Sequence, residues 1–286
     1  MLLYHVKGEN YSVGTSLDNV DPDFGYKLHA HEGVYEILIL EEGSPSFWVE
    51  GAVYEMMPGD IVIARQDEMH RIIHKGSYPY RRIIINVHVD FFKKRDCLNY
   101  TEFFEKRPVG VGNHYSAKIL EEKGVSEIIK RLKRYTKAGE EVLISGTLAE
   151  LFYNLNSLPE KERTKSEGLI KDIVIYINDN ITSPLTLDNI AEHFYVSKSY
   201  LCRLFKSKLG LTVSKYITHK RILLVKELYA SGKNITEAVV NSGFGDYSSF
   251  FTAYKKETGE SPRKGLTKEP KDFFEGEGHP QILSPR

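Results

Sequence analysis

Residues 242–262 read SGFGDYSSFFTAYKKETGESP. Asp246 stands where a side-chain oxygen can cap a helix, and Gly259 stands where that helix must end. Between them, Phe250 and Tyr254 are four residues apart, which puts both on one buried face. Tyr247, Ser248, Phe251, Thr252 and Lys255 are left pointing outward. A shorter helical stretch comes before, so the segment predicts a helix, a short turn and a second helix.

The same design occurs once earlier. TLDNIAEHFYVSKSYLCRLFKSKLGLTVSKYI (186–217) echoes NITEAVVNSGFGDYSSFFTAYKKETGESPRKG (234–265), and their FKSKLG and YKKETG stretches lie 49 residues apart. Thr186 and Ser197 are the caps of the first unit and Gly210 is its stop. Leu201, Leu204 and Phe205 form its buried side, leaving Lys198, Ser199, Cys202, Arg203 and Lys206 outward. Between the units, SKYITHKRILLVKELYASG (214–232) predicts one amphipathic helix with Ile217, Ile222, Leu224, Val225 and Leu228 on its apolar side. Helix–short turn–helix is the geometry in which a second helix enters a major groove about 12 Å wide. One such unit could be a helical bundle with a solvated basic face. Two units with matching caps, breaks and aromatics point to DNA.

Charge agrees with this division. Residues 164–270 hold 16 Lys/Arg against 11 Asp/Glu, whereas residues 1–163 hold 21 against 25. A basic half beside an acidic one suits a polyanion partner for one half only. Cys97 and Cys202 are the two cysteines of the 286-residue chain, too few for a disulfide framework. No apolar run approaches the roughly 20 residues of a membrane span, and MLLYHVKGENY lacks the features of a secretory signal. A cytoplasmic protein with no membrane partner is expected.

On these residues the C-terminal hundred resemble the AraC/XylS transcription regulators. The resemblance implies base readers at Ser199, Cys202 and Arg203 in the first unit, and at Tyr247, Ser248, Phe251 and Thr252 in the second. Arg203 could grip guanine O6 and N7 bidentately, and Phe251 could read a thymine methyl. Lys206, Lys208, Lys255, Lys256 and Arg263 suit phosphates. Arg221, midway along the linker helix, suits a structural salt bridge better than a DNA contact. Two departures stand out: Ala238-Val239 where the family usually has Ile-Ala, and Thr252-Ala253 with Tyr254 where it usually has Ser-Arg and Phe. The second change weakens or redirects base contact at one half of the site.

The N-terminal region changes period. Runs such as YEILIL, SFWVEG, AVYEM, DIVIAR and RRIIINVHV, separated by EEGSP, MMPGD and KGSYP, predict short antiparallel strands over residues 1–92. From 117 to 158, Val125, Ile128, Ile129, Leu132 and Tyr135, then Val142, Leu143, Leu148, Leu151, Phe152 and Leu155, predict a pair of helices. LPEKERTKSEG (158–168) reads as a linker, and the tail DFFEGEGHPQILSPR carries no motif.

Residues 29–43, HAHEGVYEILILEEG, resemble the cupin signature through His29, His31, Glu36 and Gly43, with Pro58-Gly59-Asp60 and His70 in a second stretch. Imidazole and carboxylate together suit Mn, Fe, Ni or Zn, so His29, His31, Glu36 and His70 are candidate ligands of a divalent metal. Strand alternation puts His29 and His31 on one face, and Glu36 joins them only if the strand is interrupted, with Gly33 the place for it. The same four, with Arg65 and Trp48, could instead line a pocket for a small polar effector such as a sugar. Plain hydrogen bonding within the sheet is the third reading of these histidines.

The expected architecture is α+β. It comprises a cupin-like β-barrel sensing an effector (1–110), a helical dimerisation segment (111–160) and an all-α double helix-turn-helix domain (168–266). The expected function is a homodimeric transcription regulator that binds double-stranded DNA, an activator by family habit, and not an enzyme. No cofactor is required, though a metal in the pocket is possible. The alternative is a metal-dependent cupin enzyme with an accessory helical domain.

Overall fold

The computed structural model describes residues 2–21, 28–66, 68–158 and 168–266. Most of the expected linker and the whole C-terminal tail lie outside the described residues. Contacts divide the chain into two units, with the boundary between residues 167 and 168.

The first unit is built on antiparallel strands β1 (Leu2–Gly8), β2 (Tyr11–Val20), β3 (Val34–Glu42), β4 (Ser46–Val49), β5 (Ala52–Glu55), β6 (Ile61–Ala64), β7 (His70–Ile73), β8 (Tyr78–His88) and β9 (His114–Tyr115). One sheet has the order β1-β2-β8-β3-β6-β9 and a smaller one the order β5-β4-β7. Alternation along β3 decides what each face does. Leu38 and Leu40 turn into a barrel interior shared with Phe47, Val49, Ile72 and Tyr80. Tyr35, Ile37 and Ile39 turn the other way, into a second core shared with helices.

Those helices are α1 (Val89–Lys93), α2 (Glu102–Glu105), α3 (Ala117–Glu122), α4 (Val125–Ala138) and α5 (Glu141–Asn156). Gly139, at φ 75°, turns α4 into α5. Ile128, Leu132, Leu148, Leu151, Phe152 and Leu155 are buried against the large sheet. Each contributes about 1.5–3 kcal/mol relative to an exposed position. The helical stripe is therefore consumed by its own barrel. Val142 and Leu143 fall off it and are 85% and 46% exposed, as is Tyr153 at 53%.

The second unit is entirely helical: α6 (Leu169–Asp179), α7 (Leu187–His193), α8 (Lys198–Leu209), α9 (Val213–Ala230), α10 (Ile235–Asn241), α11 (Tyr247–Thr258) and α12 (Pro262–Leu266). Thr186, Ser197 and Asp246 cap α7, α8 and α11 through hydrogen bonds from the amides of Asn189, Tyr200 and Ser249. Thr212 and Asn234 do the same for α9 and α10. Gly210 and Gly259 end α8 and α11 at φ 72° and 76°. Ala238 and Val239, where the chain departs from the family pattern, are both buried in a core with Ile222, Val225, Phe250 and Tyr254.

The salt bridge expected for Arg221 is replaced by a different contact. Its Nε donates to the Ile181 carbonyl at 2.9 Å and its Nη2 to the Ser183 carbonyl at 2.7 Å. Gly243, at φ 87°, packs on the same loop, so close that a Cβ would stand 2.7 Å from the Ile181 oxygen. The linker helix thus ties the turn of the second helix-turn-helix to the loop that opens the first. No helix among the described residues is long and apolar enough to cross a membrane.

Candidate functional site

Two groups of residues carry the chemistry, one in each unit. In the helical unit, α8 buries Leu201, Phe205 and Leu209. That burial rotates Ser199, Cys202, Arg203 and Lys206 outward, and all four are exposed. On α11, Phe250 and Tyr254 anchor the helix, leaving Tyr247, Ser248, Phe251, Thr252 and Lys255 exposed. Tyr247 (40% exposed) and Phe251 (37%) form an aromatic pair, ring centroids 6.3 Å apart, on the outward face of the helix that would enter a groove. Lys198 is engaged with Asp188 at 2.5 Å, which braces α8 against α7.

Sequence reasoning did not reach one part of this surface. Ser248 and Thr252 line a cleft of about 770 Å³ with Thr212, Ser214, Lys215 and Thr218 of the α9 start and Lys256 and Glu257 of α11. Hydroxyls and ammonium groups in such a cleft are suited to backbone phosphates. The register of the α9 residues against α11 is a tertiary property, which the order of residues does not give. His219 joins the two helices beside the cleft through a 3.2 Å contact between its Nδ1 and the Glu257 carboxylate.

In the barrel unit, four of the six candidate effector residues come together. His29 and His70 pair through their backbones, with the His70 amide donating to the His29 carbonyl at 2.8 Å. Gly33, at φ 68°, interrupts the strand between His31 and β3, so the break falls where the parity of Glu36 requires one. Glu36 then projects into the interior with Leu38 and Leu40. The ring centroids of His29, His31 and His70 are 4.4 to 5.3 Å apart. His31 Nε2 lies 3.0 Å from one Glu36 oxygen and His70 Nε2 lies 3.4 Å from the other. Burial works to raise the Glu36 carboxyl, yet the imidazoles of His70 and His31 hold it well below the usual carboxylate range.

Behind the cluster the support is rigid. The Glu68 carbonyl accepts a hydrogen bond from His70 Nδ1 at 2.8 Å. The Glu68 carboxylate is buried against Arg107 and also accepts from the Gly110 amide and the Asn113 side chain. Although burial opposes ionisation, Arg107 brings the Glu68 carboxyl down to about 2.

Two expected pocket residues are elsewhere. The Arg65 guanidinium is occupied by the carbonyls of Phe104, Glu105 and Arg107, at 3.0 to 3.4 Å, and so is spent on the C-terminal end of α2. Trp48 is fully buried, but it pairs with Arg71 across β4 and β7, on the face opposite Phe47 and Val49. Alternation makes Phe47, not Trp48, the wall of the cluster, and its ring stacks on His70 at 5.7 Å. Asn86, opposite Glu36 in the β3–β8 register and buried, is a further interior polar group. A period-2 pattern separates Phe47 from Trp48 but does not say which of them faces inward.

Residues 15–122 match an AraC-like ligand binding domain and residues 190–267 match a helix-turn-helix domain. The HTH-type transcriptional activator RhaS of Escherichia fergusonii is 23% identical over 266 residues, covering 88% of this chain and 91% of that one. RhaS of Klebsiella pneumoniae is 22% identical over 251 residues, covering 85% and 88%. Among solved structures, ToxT from Vibrio cholerae aligns over 90% of this chain and 98% of its own at 15% identity, with a TM-score of 0.36, too low to bear on the fold. With an AraC-like ligand-binding domain and a helix-turn-helix domain in one chain, the protein belongs to the AraC/XylS family of DNA-binding transcription regulators.

Proposed function

We propose that this regulator reads two adjacent DNA half-sites with α8 and α11, and activates transcription when a small polar effector occupies the barrel near His29, His31, Glu36 and His70. The observation that carries the reading is the pair of capped helices. α8 is anchored by buried Leu201, Phe205 and Leu209 and α11 by buried Phe250 and Tyr254, and each presents an exposed row of side chains able to reach base edges. Arg203 is the principal direct reader in this scheme and Phe251 the apolar one, with Lys206 and Lys255 on phosphates. The relatives named as transcriptional activators support activation.

For the effector, the interior combines the Phe47 face with Glu36, His70 and Asn86. An aromatic surface that covers C–H groups beside fixed polar groups suits a sugar or sugar acid. Homodimer formation would use the outward apolar positions of α5, since its inward ones are already buried.

Selection of bound duplexes from a random DNA pool by the full chain tests the core of the proposal. The expected product is a site with two conserved patches separated by about one helical turn, roughly 34 Å along the axis. A pool that returns no enriched sequence, or a single patch unaffected by changes in α11, would remove the two-helix reading.

A further inference from the structure

We propose that Glu257 is a selectivity residue for DNA: its carboxylate, fixed in the cleft between α9 and α11, repels the backbone of duplexes that α8 and α11 do not hold in register. The inference rests on reading α8 and α11 as the two base-reading helices.

In every other respect the cleft is built to receive phosphate. Lys215 of α9 and Lys256 of α11 supply two ammonium groups, and Ser214, Thr218, Ser248 and Thr252 supply hydroxyls. Ser248 and Thr252 also belong to the outward row of α11, so the cleft borders the surface that meets DNA. Glu257 is the one acid among its described lining residues, and it halves the formal positive charge that the two lysines provide.

Helix stability gives no reason for an acid at this position. Glu257 is the penultimate residue of α11, at the end where free carbonyls carry partial negative charge, so a carboxylate there is unfavourable. It is nonetheless held in place. His219 Nδ1 lies 3.2 Å from Glu257 Oε1, a hydrogen bond that needs only the Nδ1 proton of a neutral ring. The Nε2 of that ring is buried with no hydrogen-bond partner, a place that tolerates a lone pair better than an unpaired N–H. His219 therefore fixes the carboxylate without cancelling its charge. The same hydrogen bond holds the Glu257 carboxyl below the ordinary carboxylate range, against partial burial and with help from Lys215 and Lys256.

A fixed anion in such a cleft acts unequally on different duplexes. On a preferred sequence, base contacts set the register, and each phosphate has one position relative to the cleft. One phosphate can then rest on the lysines and hydroxyls, clear of the carboxylate. On random sequence no register is held, and phosphates meet the carboxylate as the duplex shifts. Repulsion that falls mainly on wrong partners widens the difference between right and wrong.

The test uses the full chain and fluorescence anisotropy, on a selected and a random duplex, from about 50 to 200 mM salt. Glu257→Gln keeps a carbonyl oxygen for His219 and removes the charge. It should tighten binding to random duplex about fivefold at the low-salt end, with a steeper salt dependence, and tighten binding to the selected duplex less than about twofold. Glu257→Ser, which also removes the charge, replaces it if Glu257→Gln does not fold. Lys256→Gln should weaken both duplexes and flatten the salt dependence by about 0.9 in log–log slope, as expected for a phosphate in the cleft. No effect of Lys256→Gln on either duplex would overturn the proposal. So would a gain in Glu257→Gln that is absent or equal on the two duplexes, even with a lowered melting temperature, because a purely structural role leaves their ratio unchanged. Wild-type protein that prefers no sequence removes the two-helix reading itself, whereas a retained preference with that ratio unchanged removes only the role of Glu257.

Discussion

Arg203 shows what a single residue can decide. It lies on the exposed side of α8, two positions before the buried Phe205, so its guanidinium is free of the core. A bidentate grip on guanine contributes about 1–3 kcal/mol of discrimination, whereas a phosphate contact adds affinity without preference. Arg203→Ala should therefore weaken binding to a selected duplex about 5- to 150-fold, and leave binding to random duplex nearly unchanged. Competition measured by fluorescence anisotropy at fixed salt distinguishes the two. Equal losses on both duplexes would make Arg203 a phosphate contact.

At the scale of elements, the helical unit depends on how its turns fit. Gly243 combines a positive φ of 87° with backbone atoms of Ile181 and Thr182 pressed against the place of a Cβ, at 2.7 and 3.0 Å. Gly232 has a similar φ of 94° with nothing near. Replacing each by alanine separates backbone strain from packing. Gly232→Ala should cost about 1 kcal/mol. Gly243→Ala should cost roughly 2–4 kcal/mol, because the Arg221-tied loop must also move. Chemical denaturation of both variants provides the comparison. Equal costs would show that the contact between the Gly243 turn and the α6–α7 loop does not contribute to stability.

For the molecule as a whole, the α4–α5 pair bears on assembly. The apolar stripe of α4 and α5 is buried against the chain's own sheet, so it is not available for a partner. Val142 and Tyr153, eleven residues apart and three helical turns along α5, remain exposed with Gly146 between them. If the homodimer forms on this face, Val142→Glu with Tyr153→Glu should turn a dimer into a monomer at micromolar concentration in sedimentation velocity. The melting temperature should change little, because neither side chain is in the core. Wild-type protein that sediments as a monomer would exclude this interface.

Much of this fold is legible in the residues because it follows from local rules. Caps at Thr186, Ser197 and Asp246 and stops at Gly210 and Gly259 act within one turn of helix, so the order of residues alone determines both helix-turn-helix units and the faces of α8 and α11. Alternation marks the strands, and the interruption at Gly33 is foreseeable because Glu36 cannot otherwise share a face with His31. What residue order leaves open is which of two equivalent faces meets which neighbour. Trp48 and Phe47 have the same alternation. Only the second sheet, closing over β3 and β6, turns Phe47 toward His70 and Trp48 away. Arg65 looks like a ligand-binding cation until the C-terminal end of α2 and Arg107 bring three carbonyls to it. Arg221 looks like half of an ion pair until the α6–α7 loop supplies acceptors from residues about forty positions earlier. The α4–α5 stripe reads equally as an interface or as a core, because both bury the same apolar area, and the sheet beneath it decides. Such contacts join residues far apart in sequence, and their partners are fixed only when the layers pack.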